Sequence, residues 1–275
     1  MPGRASAAFS ADGKRIVAFG DAGMAIHHGA EGWRICATPP FIRAVRCVRY
    51  AGDGSIIVGG AESLAARIFR DGTAEKWPSM SAGTPIFRGM EISSNGITTF
   101  AGNAAITRYG AEHHESFVVP GELIAVATLP NGNLVACGSH GALVAIVGES
   151  IVPLARRGSS DLSAITPFGT GALAVGEGGI AVRIDAKLTT TLEPVDSTTS
   201  LTAVTVSDDQ TPWAGTALGR ILRRENGCAW KQVACDWDAA PPVAAIWAKG
   251  NRVRAVAADG SLLMGWRLGE LAPAK

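Results

Sequence analysis

A strand, a glycine-containing turn and a second strand recur seven times along the 275-residue chain. The clearest copy is LAVGEGGIAVRID, which runs from Leu173 to Asp185. The seven turns begin at Gly20, Gly59, Gly102, Gly138, Gly176, Gly215 and Ala257. Their spacing is close to the length of a four-stranded repeat unit, about 40 to 45 residues. The period therefore predicts one repeated supersecondary unit.

Another strand precedes each of these turns and contains one small residue per copy. We place this residue at Ser6, Ala44, Gly89, Ala125, Ala164, Ala203 and Ala245. A small side chain is required there if the first strands of all units converge on one axis. Side chains alternate along a strand, so we expect the next residue to pack between units; examples are Val45, Val126, Ile165, Val204 and Ile246.

The complete unit has four strands. A turn that often contains Asp-Gly or Asn-Gly joins the first strand to the second, and such dipeptides favour tight hairpins. A β-sandwich also has short strands at regular spacing, but it does not repeat one four-strand unit. We predict an all-β fold over residues 1–275: a single seven-bladed β-propeller of four-stranded antiparallel blades, the last with either a short outer strand or only three strands. The approximate blade ranges are 4–39, 42–79, 84–119, 122–155, 160–196, 200–236 and 243–275.

Charge and cysteine content narrow the possible partners and location. The chain carries 25 basic and 24 acidic residues, a net charge of +1. No overall field would attract nucleic acid or a membrane surface. The five cysteines are scattered, which argues against a disulfide framework. With no signal-like apolar run at the N-terminus, we expect a soluble, cytoplasmic protein.

The repeat unit reads L-x-A-V, Asp-Gly, A-V-G-x-x-G-x-I-x-R and G-x-x-W. It is most complete in LTAVTVSDDQTPWAGTALGRILRRENGCAWKQV and IVAFGDAGMAIHHGAEGWRICATP. This pattern resembles the bacterial propeller repeats related to the BNR (Asp-box) class, near which seven-bladed photosystem assembly factors belong. The resemblance covers essentially the whole chain and implies the propeller fold. A full Asp-box, S-x-D-x-G-x-x-W, is absent. Sialidase chemistry is not indicated, because only Tyr50 and Tyr109 could supply its tyrosine nucleophile.

Polar residues occupy the turns between the second and third strands, which we expect at the mouth of a central channel. Several converging oxygens could hold a hard cation or a small ligand, whereas turns are also polar simply because water solvates them. We favour solvation and keep ligand binding or catalysis here as an alternative. The residues concerned are Asp21, Glu62, Asn103, His140, Glu177 and Asp259.

Neither a nucleophilic triad nor a metal site is indicated. Ser139 and His140 are adjacent on a turn and point apart. The pairs at 27–28 and 113–114 contain four histidines, but they lie on non-neighbouring blades and cannot converge as zinc ligands must. We expect no metal, no cofactor and no catalytic residue.

The connections between blades share a rim with these turns and carry aromatic and arginine side chains, which are enriched in binding hot spots. The leading hypothesis is therefore a non-enzymatic scaffold or assembly factor that binds another protein on this rim. The candidate contact residues are Phe41, Arg43, Met80, Arg156, Arg157, Trp237 and Asp238. A lectin-like propeller that stacks sugars on Trp33, Trp77 and Trp230 is a third possibility.

Overall fold

In the part of the chain that the structure describes, the regular elements are β-strands and two short 3-10 turns at Ser139–Gly141 and Glu177–Gly179. Two compact units, Met1–Val126 and Ala127–Lys275, are described separately below. The computed structural model describes residues 6–20, 25–30, 32–36, 38–79, 85–110, 114–195, 197–225, 229–233, 241–250, 252–258 and 262–267.

The first unit contains antiparallel sheets whose strands follow one another in sequence order. The first sheet comprises β1 (Ser6–Phe9), β2 (Ile16–Phe19), β3 (Ala25–Gly29) and β4 (Gly32–Cys36). The second comprises β5 (Val45–Tyr50), β6 (Ile56–Gly60), β7 (Ala65–Ile68) and β8 (Ala74–Lys76). Then follow β9 (Phe87–Ile92), β10 (Thr98–Tyr109) and β11 (His114–Thr128), within which the unit ends.

The second unit continues with the same antiparallel order. It begins with β12 (Leu134–Gly138), β13 (Leu143–Val147) and β14 (Ser150–Pro153). The next sheet comprises β15 (Leu162–Phe168), β16 (Gly171–Gly176), β17 (Ala181–Ile184) and β18 (Thr190–Glu193). It is followed by β19 (Leu201–Val206), β20 (Pro212–Thr216), β21 (Ile221–Arg224) and β22 (Trp230–Val233). The last sheet comprises β23 (Val243–Lys249), β24 (Arg252–Ala257) and β25 (Leu262–Arg267).

The described strands form six sheets, so the prediction of seven separate four-stranded sheets needs correction. Four sheets have four strands, one has six in the order β14-β13-β12-β11-β10-β9, and the last has three. Two predicted boundaries are absent. β10 passes through its expected turn with only a bulge between Asn103 and Ala105, and β11 runs without a break across the predicted boundary at 119–122. The uninterrupted strand β11 lies between β10 of the third repeat and β12 of the fourth, so these two repeats share a sheet.

A β-bulge near the start of the first strand corrects the predicted small position in the second repeat. Register shifts follow Val45 in β5 and Leu162 in β15, so Cys47 and Ala164 are the equivalent paired residues after the bulge. Ala44 instead precedes β5 and has a φ of 48°. A bulge adds one residue to one strand only, which displaces the sequence alignment.

Close packing between neighbouring first strands explains why this position is small. β1 contacts β5 and β5 contacts β9 in the first unit, while β15 contacts β19 and β19 contacts β23 in the second. The Cys47 thiol lies 3.9 Å from the carbonyl oxygen of Phe87, on the next first strand. At this separation a large side chain would clash with the backbone of the neighbouring strand.

Each first strand from β5 onward also carries a large apolar residue just before the bulge, at the start of the L-x-A-V pattern. These residues are almost fully buried, and burying such a side chain contributes about 1.5 to 3 kcal/mol. They are Val45, Phe87, Leu123, Leu162, Leu201 and Val243. The core therefore lies between successive sheets.

The predicted Asp-Gly and Asn-Gly hairpins are confirmed. The turn glycines have positive φ values of 68° at Gly13, 83° at Gly54, 81° at Gly96 and 85° at Gly132. Positive φ is costly for residues with a Cβ, which explains glycine at this point of the repeat.

Candidate functional site

Two kinds of segment meet at one end of each sheet. Because the strands are antiparallel, the turn from the second to the third strand lies at the same end as the connection into the next sheet. We call this the rim end. The hairpins between the first and second strands lie at the opposite end.

A repeated backbone hydrogen bond fixes the rim-end turns. The residue after the second strand donates its N–H to the carbonyl of the residue just before, or at the start of, the first strand. The N···O distances are 3.2 Å for Ala61 to Ala44, 3.4 Å for Asn103 to Ile86, 2.9 Å for Glu177 to Asp161, 2.9 Å for Ala217 to Ser200 and 2.8 Å for Ala258 to Pro242. This bond marks the same position in each of these repeats, although in the third repeat it lies within β10, which continues through Asn103 without a turn.

The structure separates the predicted polar turn residues into two positions. Asn103 and Glu177 occupy the first, where the backbone N–H is engaged as above. Glu62 and His140 occupy the next position, and both have a φ of 55°. All four side chains are exposed. Asp21 and Asp259 lie outside the described residues.

Asp161 connects two of these turns in the second unit. Its Oδ1 accepts a hydrogen bond from the backbone N–H of His140 at 2.8 Å, and its own N–H donates weakly to Glu177 Oε2 at 3.5 Å. A related contact follows in the next repeat, where Gly178 N–H donates to Ser200 Oγ at 3.3 Å. The backbone of His140 is thus fixed while its imidazole remains exposed.

Backbone strain is concentrated at the rim end. Non-glycine residues rarely adopt a positive φ, and such outliers cluster at functional sites. Among the described residues seven do so. Leu188 and Gln210 lie in turns at the opposite end. The other five lie at the rim end: Ala44, Glu62, Ser63, Ala104 and His140.

The predicted partner-binding residues have different environments. Phe41 is 38% exposed, and the neighbouring Arg43 donates from Nε to the Pro40 carbonyl at 2.9 Å. Arg156 is exposed. Arg157 is exposed as well, and it donates from Nε to the Thr190 carbonyl at 2.9 Å. Three further candidates lie outside the described residues: Met80, Trp237 and Asp238.

Sequence reasoning missed charged residues on the first strands of the first unit. Arg46 and Arg88 are the extra residues at equivalent bulges of β5 and β9. Arg88 Nε forms an ion pair with Glu122 Oε1 at 2.6 Å. Burial raises the pKa of Glu91, and nearby Arg49 partly offsets the effect. The sequence did contain a signal for these residues, because the variable position of the L-x-A-V pattern is an arginine in both repeats.

Sequence reasoning also missed Leu218, which lies in the turn between β20 and β21. This residue is 55% exposed although it is apolar. It follows Ala217, so it occupies the same turn position as His140 does in its own repeat. An exposed apolar side chain thus lies at the rim end in each unit.

The metal and glycan alternatives gain no support from the described part of the chain. Within it, no group of three or more His, Cys, Asp or Glu side chains is placed to hold a metal ion. Trp77 packs against the ring of Tyr109, with centroids 5.0 Å apart, and Trp230 is buried. The structure does not describe the side chain of Trp33. Two of the three proposed sugar-stacking platforms are therefore packing residues.

No model of a protein family matches the chain, and no curated protein matches its sequence. Solved structures do match. Catalytically inactive virginiamycin B lyase from Staphylococcus aureus with quinupristin has a TM-score of 0.80 at 15% identity, covering 94% of each chain. A streptogramin B lyase has a TM-score of 0.78 at 14% identity, covering 95% of this chain and 93% of that one. YCF48 from Cyanidioschyzon merolae has a TM-score of 0.72 at 18% identity, covering 98% of each.

At these identities the similarity concerns the fold alone. Together with the antiparallel four-stranded sheets, it shows that the chain is an all-β propeller with four-stranded antiparallel blades. In the described ranges, no helix is long and apolar enough to cross a membrane.

Proposed function

We propose that this protein is a non-enzymatic module that binds another protein at the rim end of its sheets. The observation that carries the proposal is the concentration of strained non-glycine residues at that end. Strained loops persist only when the surrounding structure holds them. Loops held in this way lose little conformational entropy on binding.

Two of the exposed large apolar side chains lie at the rim end, whereas others, such as Phe69, lie at the opposite end. Phe41 in the first unit and Leu218 in the second are both at the rim end, at 38% and 55% exposure. Arg43 adjoins Phe41 at a distance of two residues, and aromatic and arginine residues are enriched in protein interfaces. The resemblance of the repeats to photosystem assembly factors is consistent with docking.

Several finer properties belong to the same proposal. The six-stranded sheet corresponds to two repeats, so we count seven blade units along the chain. The protein acts in the cytoplasm, without a cofactor, and its partner is a protein and not a nucleic acid or a membrane. The net charge of +1 supports this choice of partner.

The test compares two exposed phenylalanines at opposite ends of sheets in the first unit. A partner is first identified by purification from the native cells, and its affinity for the purified protein is then measured by calorimetry. Phe41→Ser should weaken binding at least about tenfold, as expected for an interface anchor. Phe69→Ser is the control, because Phe69 is 36% exposed and lies at the opposite end. Equal affinities for the two variants would exclude a rim-end interface.

A second candidate is binding or chemical conversion of a small ligand at the rim end of the second unit. The observation that favours it is the exposed imidazole of His140 on a backbone held by Asp161. The fold shared with a virginiamycin B lyase solved with quinupristin adds to it. Incubation with quinupristin and mass analysis of the product tests this candidate. Turnover that His140→Ala abolishes would favour an enzyme over a scaffold.

A further inference from the structure

We propose that the sheet β19–β22 binds a small anion beside Trp213 and Arg223. The ligand class is a carboxylate or a small oxyanion such as sulfate or phosphate. This site belongs to the second unit and does not depend on the rim-end function proposed above.

A row of side chains crosses all four strands on one face of this sheet. Trp213 pairs with Thr205 on one side and with Arg223 on the other, and Arg223 pairs with Lys231. Directly paired residues in an antiparallel sheet share a face. The guanidinium carbon of Arg223 lies 5.5 Å from the centre of the Trp213 ring.

Two buried donors in this row have no acceptor among the residues that the structure describes. Trp213 is only 2% exposed, and its Nε1 is buried without a hydrogen-bond partner. The Nε of Arg223 is buried without a partner as well. An unsatisfied buried donor costs about 1 to 3 kcal/mol, and more if it is charged. Such groups in native proteins indicate a bound water or ion.

The charges in the row indicate an anion. Arg223 and Lys231 are like charges on paired residues, which is unfavourable. Lys231 is compensated, since its Nζ lies 2.6 Å from Glu225 Oε2. No comparable ion pair to a described carboxylate compensates Arg223. The positive charge of Arg223 contributes to lowering the pKa of Asp209, but it is a minor cause. The chief cause is the hydrogen bond from the Ser207 hydroxyl.

The other face of the same sheet carries a second Trp–Arg pair, whose arginine has a carboxylate partner although its Trp230 Nε1 is also buried without a hydrogen-bond partner. There Arg224 pairs with Trp230 across the strands. Glu193 from the neighbouring sheet accepts two hydrogen bonds from Arg224, at 2.8 and 2.9 Å. The sheet thus has a Trp–Arg pair on each face, but only one is supplied with a carboxylate by the described chain. On the face that carries Trp213 and Arg223, the bound anion would accept from Arg223 as the Glu193 carboxylate accepts from Arg224 on the other face.

The test follows unfolding in urea at increasing concentrations of sodium sulfate and, separately, sodium acetate. A bound anion stabilises the folded state with a saturable dependence on its concentration. Sulfate also stabilises proteins non-specifically, so variants are required. Arg223→Gln should weaken the saturable binding at least about tenfold, because a hydrogen bond to a charged group is lost. Arg220→Gln is the control, since this exposed arginine directly precedes β21 and, among the described residues, its side chain donates only to Gln232, at 3.2 Å.

A second measurement locates the ion even if a variant folds poorly. Crystals of the unaltered protein soaked in bromide should show an anomalous peak within hydrogen-bonding distance of Trp213 Nε1 or Arg223 Nε. The sulfate and acetate series decide which anion class is preferred. The proposal is overturned if Arg223→Gln responds to both salts as the unaltered protein does. It is equally overturned if the soaked crystals show only a water beside these two donors.

Discussion

A Cβ atom added to Gly89 would lie 2.6 Å from the Cα of Ala125. The same atom would lie 2.6 Å from the carbonyl oxygen of Ile124. The first strand of the third repeat therefore packs against the backbone that starts the fourth repeat, with no room for a side chain. Since backbone atoms cannot rotate away, a side chain at position 89 would force the two strands apart.

Gly89→Ala should lower the free energy of unfolding by about 1 to 3 kcal/mol, the usual cost of overpacking. Urea unfolding followed by circular dichroism measures the change. Gly52→Ala serves as the control, because a Cβ at Gly52 meets no atom within 4 Å. If both variants lost the same stability, the close strand contact would not be the cause.

Asp161→Ala should lower the free energy of unfolding by about 1 kcal/mol, since it leaves the His140 N–H without its side-chain acceptor. Hydrogen exchange at the His140 amide should quicken at the same time. Glu149→Ala, at an exposed turn of the same unit, should change stability by no more than about 0.5 kcal/mol. Unchanged exchange at His140 in Asp161→Ala would contradict the predicted hydrogen bond.

Glu193→Gln should cost about 3 kcal/mol, because it leaves a mostly buried arginine without its counter-charge. The side chains of Arg224 and Glu193 are only 13% and 5% exposed. Glu115→Gln breaks a more exposed ion pair, in which the side chain of Arg108 is 26% exposed and that of Glu115 is 47% exposed. This substitution should lower the free energy of unfolding by no more than about 1 kcal/mol. Thermal denaturation of both variants measures the difference. A smaller loss for Glu193→Gln than for Glu115→Gln would refute the buried role.

Acid should weaken the folded state as the carboxylate of Asp53 is protonated. Hydrogen bonds from the side chain and backbone of Ser55, with a smaller effect of Arg67, lower the pKa of Asp53 to about 2. An unfolded Asp titrates near 4, so the charged form favours folding above about pH 4, and this contribution is lost as the pH falls towards 2. Asp53→Asn should therefore be less stable than the unaltered protein at pH 7 but similar near pH 2. A stability difference independent of pH would contradict this titration.

The thiol of Cys47 should resist alkylation in the folded protein. Burial raises the pKa of Cys47 to about 12, and the reactive species is the thiolate. Peptide mapping after iodoacetamide treatment at pH 8 should show Cys47 modified only when urea is present, whereas the partly exposed Cys36 should react sooner. Rapid modification of Cys47 without denaturant would show that β5 and β9 separate readily.

Sequence reasoning reached the four-strand unit and its hairpin turns because those features depend on neighbouring residues. The positive φ of Gly54 and Gly132 follows from local Asp-Gly and Asn-Gly sequences. The equivalence of Cys47 with Gly89 was missed, because the bulge displaces the register and Ala44 offers a smaller residue nearby. The candidate site was predicted only in part. Glu62 and Glu177 lie at the expected end, whereas the hydrogen bond from the exposed Arg157 to Thr190 had no signal in the sequence.

The amino-acid sequence by itself determined the recurring strands, their antiparallel order within a repeat and the glycine turns between them. These properties arise from side-chain alternation and turn chemistry, which act over a few residues. The tertiary structure alone decided that the third and fourth repeats share a sheet and that Asp161 holds His140. It also decided that Trp213 Nε1 and Arg223 Nε are buried without an acceptor among the described residues. Such relationships depend on distances between side chains that are far apart along the chain, and no local pattern encodes them.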